Sequence, residues 1–323
     1  MERPQYAVEF NDVVKHYGST VALDHLSLSI APGIVFGVLG PNGAGKTTML
    51  KVLLGLTHPE NGRASVLGLD PVVDGRRVRG HVGVMLEHTG LYDRLSAKGN
   101  LEFHAALQHV EQNLRQSRIE KLLRLFGLWE RRLERPEGWS TGMRKKLAIA
   151  RSLLHAPRVL LLDEPFAGLD PAAAVDLREV IARHAADEVV TVIMTTHDLG
   201  HAEKVCARVA VISSGRVIAE GPPDRLGENG DAHVVADAVE LEITGDGLTQ
   251  GVLDRLCTDN ILLGYSLNER VALVTTNPVN APRVGTELVK AGVTLEQLRK
   301  TERSLETTVL ALMRDARKQE ANS

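Results

Sequence analysis

Short apolar runs alternate with amphipathic stretches along residues 1–222. Four of these runs are apolar at nearly every position, and they span residues 34–39, 82–86, 159–162 and 189–194. A strand with one face in water alternates apolar and polar residues, so the continuous runs predict central strands covered on both faces. Strands that alternate with helices predict an α/β fold with much parallel pairing.

Apolar runs also mark both ends of this region. Residues 8–10 and 26–30 predict an opening pair of strands. Residues 209–213 and 217–219 lie on either side of a Ser-Gly pair, which predicts a closing hairpin.

The stretch from residue 97 to residue 154 has helical spacing and little strand pattern. Gly127 and the Pro-Glu-Gly segment at 136–138 interrupt it. We therefore predict a helical subdomain, at residues 88–155, inserted into the α/β core.

The pattern changes after residue 222. A Gly- and Asp-containing stretch at 227–231 predicts a linker, which we place at residues 223–231. This divides the chain into a first domain of residues 1–222 and a C-terminal accessory or regulatory domain of residues 232–323.

The C-terminal domain has a regular order of predicted elements. In chain order these are a strand at 239–243, a helix at 248–256, strands at 261–263 and 271–274, a helix at 281–291 and a strand near Val293. This β-α-β-β-α-β order predicts a small ferredoxin-like α+β domain, followed by a last helix at 304–318.

Length and composition narrow the class of protein. At 323 residues and 43% apolar content, the chain is long enough for two cores. The balance of 38 basic and 41 acidic residues gives no general attraction to nucleic acid, and we expect no such partner. No apolar run approaches the roughly 20 residues that cross a bilayer, and residues 1–5 lack a secretory apolar region. We therefore expect a cytoplasmic chain without a membrane span, in which Cys206 and Cys257 form no disulfide.

A glycine-rich segment between the run at 34–39 and a helical pattern carries the strongest chemical signal. This phosphate loop reads Gly40, Pro41, Asn42, Gly43, Ala44, Gly45, Lys46, Thr47 and Thr48. Glycines lack Cβ atoms, so successive backbone N–H groups can surround phosphate oxygens at the start of the next helix. Lys46 would supply a cation for the β and γ phosphates, and Thr47 a hydroxyl for Mg²⁺, which prefers oxygen ligands. The segment predicts binding of a nucleoside triphosphate with Mg²⁺.

Two carboxylates follow the apolar run at 159–162. The carboxyl ends of parallel strands share one edge of a sheet, so Asp163 and Glu164 should lie beside the phosphate loop. Asp163 is then placed to hold Mg²⁺, directly or through water. Glu164 is placed to polarise water for attack on the γ phosphate, and we predict that it is the catalytic base.

Six motifs resemble, in order, those of the ATP-binding cassette of ABC transporters, over residues 6–222. They are Tyr17, similar to the aromatic residue that stacks on adenine; the phosphate loop, similar to Walker A; residues 139–143, a variant of the LSGGQ signature; residues 159–164, similar to Walker B; residues 167–170, similar to the D-loop with Asp170; and residues 195–198, similar to the switch region with His197.

The resemblance implies a P-loop ATPase that works as a head-to-tail pair of cassettes with two ATP molecules between them. The Walker motifs of one copy would bind each ATP and its Mg²⁺. Ser140 and Gly142 of the other copy start a predicted helix, so they would present a hydroxyl and an electropositive helix end to the γ phosphate. His197 would hydrogen-bond the γ phosphate and help to position the attacking water. A zinc site on His197 and His201 is disfavoured, because no Glu follows the first histidine.

The chain departs from the family pattern at two places. Glu87 stands where the family usually has Gln; it can still ligate Mg²⁺ but cannot donate an amide hydrogen bond. In the signature, Thr141 replaces a Gly and Met143 replaces a Gln, while Ser140 and Gly142 remain.

Residues 90–96, with the following helix, resemble the exporter-coupling region of bacterial cassettes that pair with separate membrane subunits. Residues 303–310 resemble the C-terminal segment of ATPases in the drug-resistance, bacteriocin-immunity and sodium-export branch. This resemblance implies an exporter ATPase at the cytoplasmic face of the membrane, paired with separate permease subunits that dock beside residues 87–92. The alternatives are a soluble cassette ATPase of translation or DNA repair, and a nucleotide-binding regulator without turnover. The regulator is disfavoured because the four motif residues Lys46, Asp163, Glu164 and His197 are all present.

Overall fold

The structure is a computed structural model that describes residues 5–188, 190–226, 239–301 and 305–321. The chain divides into two compact units, Met1–Val217 and Ile218–Ser323. The glycine-containing stretch 227–231, on which the linker prediction rests, lies outside the described residues, as do Val189 and Ser304. Within the described ranges, no helix is long and apolar enough to cross a bilayer.

The strands up to residue 221 are, in chain order, β1 (Val8–Tyr17), β2 (Thr20–Ile30), β3 (Val35–Leu39), β4 (Asn61–Val66), β5 (Val82–Met85), β6 (Val159–Asp163), β7 (Thr191–Thr196), β8 (Arg208–Ser213) and β9 (Arg216–Gly221). The α-helices of the same stretch are α1 (Lys46–Leu53), α2 (Gly75–His81), α3 (Ala97–Leu107), α4 (Gln112–Leu125), α5 (Thr141–Ser152), α6 (Pro171–Glu188) and α7 (Leu199–Val205).

A six-stranded sheet in the order β5-β6-β7-β3-β8-β9 forms the centre of the α/β core. The pairs from β5 to β8 are parallel, and β3 lies between β7 and β8. Val38, Leu161 and Ile193, on three neighbouring strands, are fully buried in one hydrophobic cluster. The predicted α/β class is confirmed, and the carboxyl ends of β3, β6 and β7 lie at one edge of the sheet.

The prediction that all four continuous runs are central strands was wrong for β5, which is an edge strand of this sheet. Val82 and Met85 are nevertheless buried and Val84 is partly buried, because α2 and α5 pack against the strand. A Cβ atom on Gly83 would lie 2.3 Å from the carbonyl oxygen of Ser152 on α5. A covered edge strand thus has the same continuous pattern as a central one.

A second sheet, in the order β2-β1-β4, is antiparallel. The predicted opening pair is present but longer than the apolar runs, with Val8 opposite Ile30 and Tyr17 opposite Thr20. The sequence did not indicate β4, in which only Ala64 and Val66 are buried, or α2, in which only Val78 is buried.

Helices fill the stretch for which we predict an inserted subdomain. Residues 88–155 contain α3, α4, α5 and two short 3-10 helices, and no strand. The predicted breaks are present, since α4 ends before Gly127, which has a φ of 68°, and residues 136–138 form a 3-10 helix.

The second unit contains β10 (Val239–Asp246), α8 (Gln250–Thr258), β11 (Gly264–Asn268), β12 (Val271–Thr276), α9 (Ala281–Lys290), β13 (Thr294–Thr301) and α10 (Leu305–Ala321). Its antiparallel sheet has the order β11-β12-β10-β13, which is the predicted ferredoxin-like arrangement. The predicted strand at 261–263 was wrong, because β11 begins only at Gly264. Ile261 and Leu262 precede β11 in the chain and are buried in the hydrophobic core of the second unit. The carbonyl oxygen of Ile261 accepts a hydrogen bond from the Thr276 hydroxyl at 2.6 Å.

Candidate nucleotide site

The phosphate loop joins β3 to α1 in a conformation that requires glycine. Gly45, which directly precedes α1, has a φ of 105°, and a Cβ atom there would lie 2.3 Å from the carbonyl oxygen of Ala22. At Gly40 a Cβ atom would lie 2.4 Å from the carbonyl oxygen of Ile212. The loop therefore packs directly on neighbouring backbone and leaves its own N–H groups at the N-terminus of α1.

A pocket of about 350 Å³ opens over this loop. Its lining consists of Thr20, Ala22, Pro41, Asn42, Gly43, Ala44, Gly45, Lys46, Thr47, Thr48, Glu87, Asp163 and Glu164. The fold thus brings three separate predicted segments to one cavity: the phosphate loop, the carboxylate pair after β6, and Glu87 after β5.

The ammonium group of Lys46 is buried at the base of the loop. Nζ donates hydrogen bonds to the carbonyl oxygens of Gly40 at 2.7 Å and Pro41 at 3.1 Å, and lies 3.7 Å from Glu164 Oε1. Burial lowers the pKa of Lys46, while Glu164 and Asp163 oppose that shift. Nζ therefore lies between the loop and the carboxylates.

Asp163 is held by a hydroxyl on each side. Thr47 Oγ1 donates to Oδ2 at 3.0 Å, and Thr195 Oγ1 donates to Oδ1 at 2.5 Å. The carboxylate is almost fully buried, with 2% of the residue exposed. Thr195 belongs to the predicted switch segment 195–198, but the motif assigned it no role; a hydroxyl at the end of the apolar run in β7 is the signal that could have found it.

Glu164 has an unusual backbone conformation and a defined side-chain partner. Its φ is 49°, and its N–H donates to both the carbonyl oxygen and Oγ1 of Thr195 at 3.1 Å. Its Oε1 lies 3.0 Å from Nδ1 of His197, which is largely exposed. The structure thus brings the predicted base and the predicted switch histidine together.

Lys145, a second buried lysine that sequence analysis did not single out, lies behind this turn. Its Nζ donates hydrogen bonds of 2.6 Å to the carbonyl oxygens of Glu164 and Ala167. Burial lowers the pKa of Lys145, and the carboxylates of Glu164, Asp163 and Glu87 oppose the shift. No local pattern marks this residue, because its partners lie in a different element.

The signature and D-loop residues do not line the pocket of their own chain. Ser140 caps α5, with its hydroxyl accepting a hydrogen bond from the N–H of Met143 at 3.3 Å. Gly142 is buried in the first turn of α5, and Asp170 accepts a hydrogen bond from the N–H of Ala173 at 2.9 Å, next to the start of α6. Ser140 and Asp170 are exposed, so both can face a second molecule.

Tyr17 ends β1 and is also absent from the pocket lining. Its ring is half-exposed, and Nζ of Lys15 lies 5.5 Å from the ring centroid. Thr20 and Ala22, on the next strand, do line the pocket. Tyr17 therefore lies on the strand next to the pocket wall, with an accessible ring.

The donors in the pocket fit a magnesium nucleotide. Thr47, Asp163 and Glu87 offer oxygen atoms, which suit a hard cation that keeps water and phosphate ligands. In the part of the chain that the structure describes, no cluster of three or more His, Cys, Asp and Glu side chains is arranged to hold a metal alone. The three oxygen donors suit a cation that takes its remaining ligands from water and phosphate.

Known proteins with similar sequences are ATP-binding proteins, in agreement with a pocket that suits a nucleotide. The chain is 34% identical over 312 residues to the daunorubicin resistance ATP-binding protein DrrA3 of Streptomyces coeruleorubidus, covering 97% of both chains. The chain belongs to the ABC transporter family. The ABC transporter family model matches residues 23–167, which include the phosphate loop and the carboxylate pair. The family predicted from the motifs is confirmed, and with it the prediction of an ATP-binding ABC ATPase.

Two other ABC proteins extend the comparison. The chain is 37% identical over 238 residues to the Nod factor export ATP-binding protein I of Burkholderia pseudomallei, covering 72% of this chain and 76% of that one. A solved structure of an ATP binding subunit of an ABC transporter is 29% identical, with a TM-score of 0.62, and covers 68% of this chain and 92% of that chain. The cassette fold is therefore shared.

Proposed function

We propose that this chain is the ATP-hydrolysing subunit of an ABC exporter, in which two copies close on two ATP molecules and drive separate permease subunits. The observation that carries the proposal is the placement of the Glu164 carboxylate, with Lys46 Nζ at 3.7 Å and His197 Nδ1 at 3.0 Å, beside a glycine-lined phosphate cradle. A base, a cation and a polar positioning group at one cradle suit attack of water on a terminal phosphate.

In the binding step, the N–H groups of the phosphate loop would surround the β and γ phosphates at the N-terminus of α1. Lys46 would exchange its contacts with loop carbonyls for phosphate oxygens, and the exposed ring of Tyr17 would stack on adenine. Thr47, Asp163 and Glu87 would hold Mg²⁺. When bound, Mg²⁺ would neutralise charge that develops on the phosphates.

In the hydrolytic step, Glu164 would accept a proton from the attacking water, and His197 would orient that water and the γ phosphate. Ser140 and Gly142 of the second copy would complete the site at the γ phosphate, and Asp170 would lie at the contact between the two copies. The capped, electropositive start of α5 suits contact with an anion.

The export assignment comes from the relatives. One is described as a daunorubicin resistance protein and another as a Nod factor export protein, both ATP-binding. We propose that this chain likewise works at the cytoplasmic face of the membrane. Its permease partners would dock beside residues 87–92, where the exposed rings of Tyr92 and Phe103 meet edge to face at 4.9 Å.

The test replaces Glu164 by Gln. The amide cannot accept the proton, so we expect ATP hydrolysis to fall about 100-fold or more while ATP binding is preserved. Size-exclusion chromatography with ATP should show a trapped dimer, which wild type forms only transiently. Glu179→Gln, an exposed change on α6, is the control and should leave turnover unchanged. Full turnover in the Glu164→Gln variant would overturn the catalytic assignment.

A further inference from the structure

Lys145 is a buried cation in α5 to which the proposed mechanism gives no role. Only 6% of the residue is exposed, and its Nζ donates to the carbonyl oxygens of Glu164 and Ala167 at 2.6 Å each. Hydrogen bonds from a charged donor are about twice as strong as neutral ones. Lys145 therefore fixes the turn that follows β6.

This turn carries the proposed base. Glu164 has a φ of 49°, in a region that is strained for a residue with a side chain, so surrounding contacts must hold it. The N–H of Ala167 bonds back to the carbonyl oxygen of Glu164 at 3.3 Å, and Lys145 Nζ joins both residues from outside the turn. The direction of the Glu164 carboxylate thus depends on the position of the ammonium group.

The N-terminal end of the same helix, one turn before Lys145, carries the signature residues. Ser140 caps α5 and Gly142 lies in its first turn, where a Cβ atom would contact Ala173 of α6 at 3.3 Å. Lys145 follows Gly142 by three residues, so it lies on the next turn of one continuous helix. A displacement of the capped end is therefore carried directly to the ammonium group.

We infer that Lys145 is a positioning residue that couples the two nucleotide sites of the cassette pair. It connects the end of α5 that contacts the nucleotide of the partner copy to the turn that carries Glu164 of its own site. The inference rests on the proposed function, since it needs two copies that share two nucleotides. When the ATP in the partner's pocket contacts Ser140 of one copy, Lys145 of that copy fixes the position of Glu164 in the copy's own pocket. Hydrolysis at the two sites is therefore cooperative.

The test compares Lys145→Met with Lys146→Met in the purified full chain. Lys146 is a matched control, because it lies on the same helix but its Nζ lies 3.3 Å from Asp176 Oδ2 on α6 rather than at the turn of Glu164. For Lys145→Met we expect kcat to fall about 10- to 100-fold, as misplacement of a catalytic group does. The ATP dissociation constant should change by less than about twofold, because the phosphate loop is intact.

Cooperativity separates coupling from a merely structural role. The Hill coefficient for ATP in the hydrolysis assay should fall from above one to one in Lys145→Met. Lys146→Met should keep the kcat and the Hill coefficient of wild type. Lys145→Arg, which keeps a buried cationic donor, should recover part of the kcat and part of the Hill coefficient of wild type. Unchanged kcat and Hill coefficient in folded Lys145→Met would overturn the inference.

A second measurement does not depend on the folding of a Lys145 variant. In the Glu164→Gln chain, hydrogen exchange is followed in residues 140–146 and 164–170 as ATP is added. Coupled segments should become protected with the same ATP midpoint, and different midpoints would overturn the inference. A wild-type chain without ATP-dependent pairing and hydrolysis would instead overturn the proposed function, and this inference with it.

Discussion

Thr195 shows how much of the site depends on a single hydroxyl. It is fully buried, donates to Asp163 Oδ1 and accepts from the N–H of Glu164. One side chain thus orients the proposed metal ligand and the backbone of the proposed base. A buried carboxylate oxygen that loses its donor costs about 1–3 kcal/mol, which is about 5- to 150-fold in an equilibrium.

Thr195→Val keeps the shape of the side chain and removes both contacts. We expect kcat for ATP to fall about tenfold or more, and the Mg²⁺ concentration for half-maximal turnover to rise, because Asp163 loses a partner. Steady-state hydrolysis across a Mg²⁺ titration measures both.

The control for this change is Thr191→Val at the other end of β7. Thr191 is equally buried, and its hydroxyl accepts from the N–H of Gly33 at 2.9 Å, away from the pocket. Thr191→Val should lower the midpoint of thermal unfolding as Thr195→Val does, but it should not lower the rate of ATP hydrolysis. Equal kcat in the two variants would contradict a specific role for Thr195.

At the scale of the elements, the helical subdomain contains a histidine that resists protonation. Burial, with Arg151 and His155 nearby, lowers the pKa of His104 on α3 from 6.5 to about 4. The unfolded chain therefore takes up a proton at this residue at a higher pH than the folded chain does. Stability from neutral His104 is complete above pH 6.5, is lost as the pH falls towards 4, and does not change further below that.

His104→Gln should make the stability of the folded chain depend less on pH, since the amide of Gln does not titrate. We expect the chemical-denaturation midpoint of the wild type to fall more steeply between pH 6.5 and pH 4 than that of the variant. The exposed His58, changed to Gln in the same way, should leave the steep slope in place. Identical slopes for wild type and His104→Gln would show that this histidine does not contribute.

At the scale of the whole molecule, the two units have separate hydrophobic clusters. Ile243, Val274 and Leu288 belong to the cluster of the second unit, whereas Val38 and Ile193 belong to that of the first. Every residue that lines the pocket lies in the first unit. Nucleotide binding should therefore not require the second unit.

A chain that ends at Leu226 keeps β9 and the buried Leu226 side chain. We expect it to fold and to bind ATP within about twofold of the full chain, because domains with their own cores fold as units. Titration with a fluorescent ATP analogue measures the affinity. Loss of binding in a folded truncated chain would show that the second unit supports the pocket, and altered hydrolysis with normal binding would assign it a regulatory role.

Local patterns predicted most of the fold and the chemistry at the pocket. The glycines at 40 and 45 report backbone conformations that no other residue adopts easily, and the apolar runs report burial, so both are visible in a short stretch of sequence. The same holds for the β-α-β-β-α-β order of the second unit. Weakly apolar elements such as β4 and α2 left no such pattern.

The sequence by itself determined the α/β class, the phosphate loop, the carboxylate pair and membership of the ABC transporter family, because each depends on residues that are neighbours in the chain. Only the tertiary structure decided that β5 lies at an edge, that Thr195 holds Asp163, and that Lys145 holds the turn of Glu164. These facts depend on strand order and on the packing of α5 against that turn. Contacts between distant residues leave no periodicity in the chain, and so the positioning of the carboxylate that we propose as the catalytic base became visible only in the folded molecule.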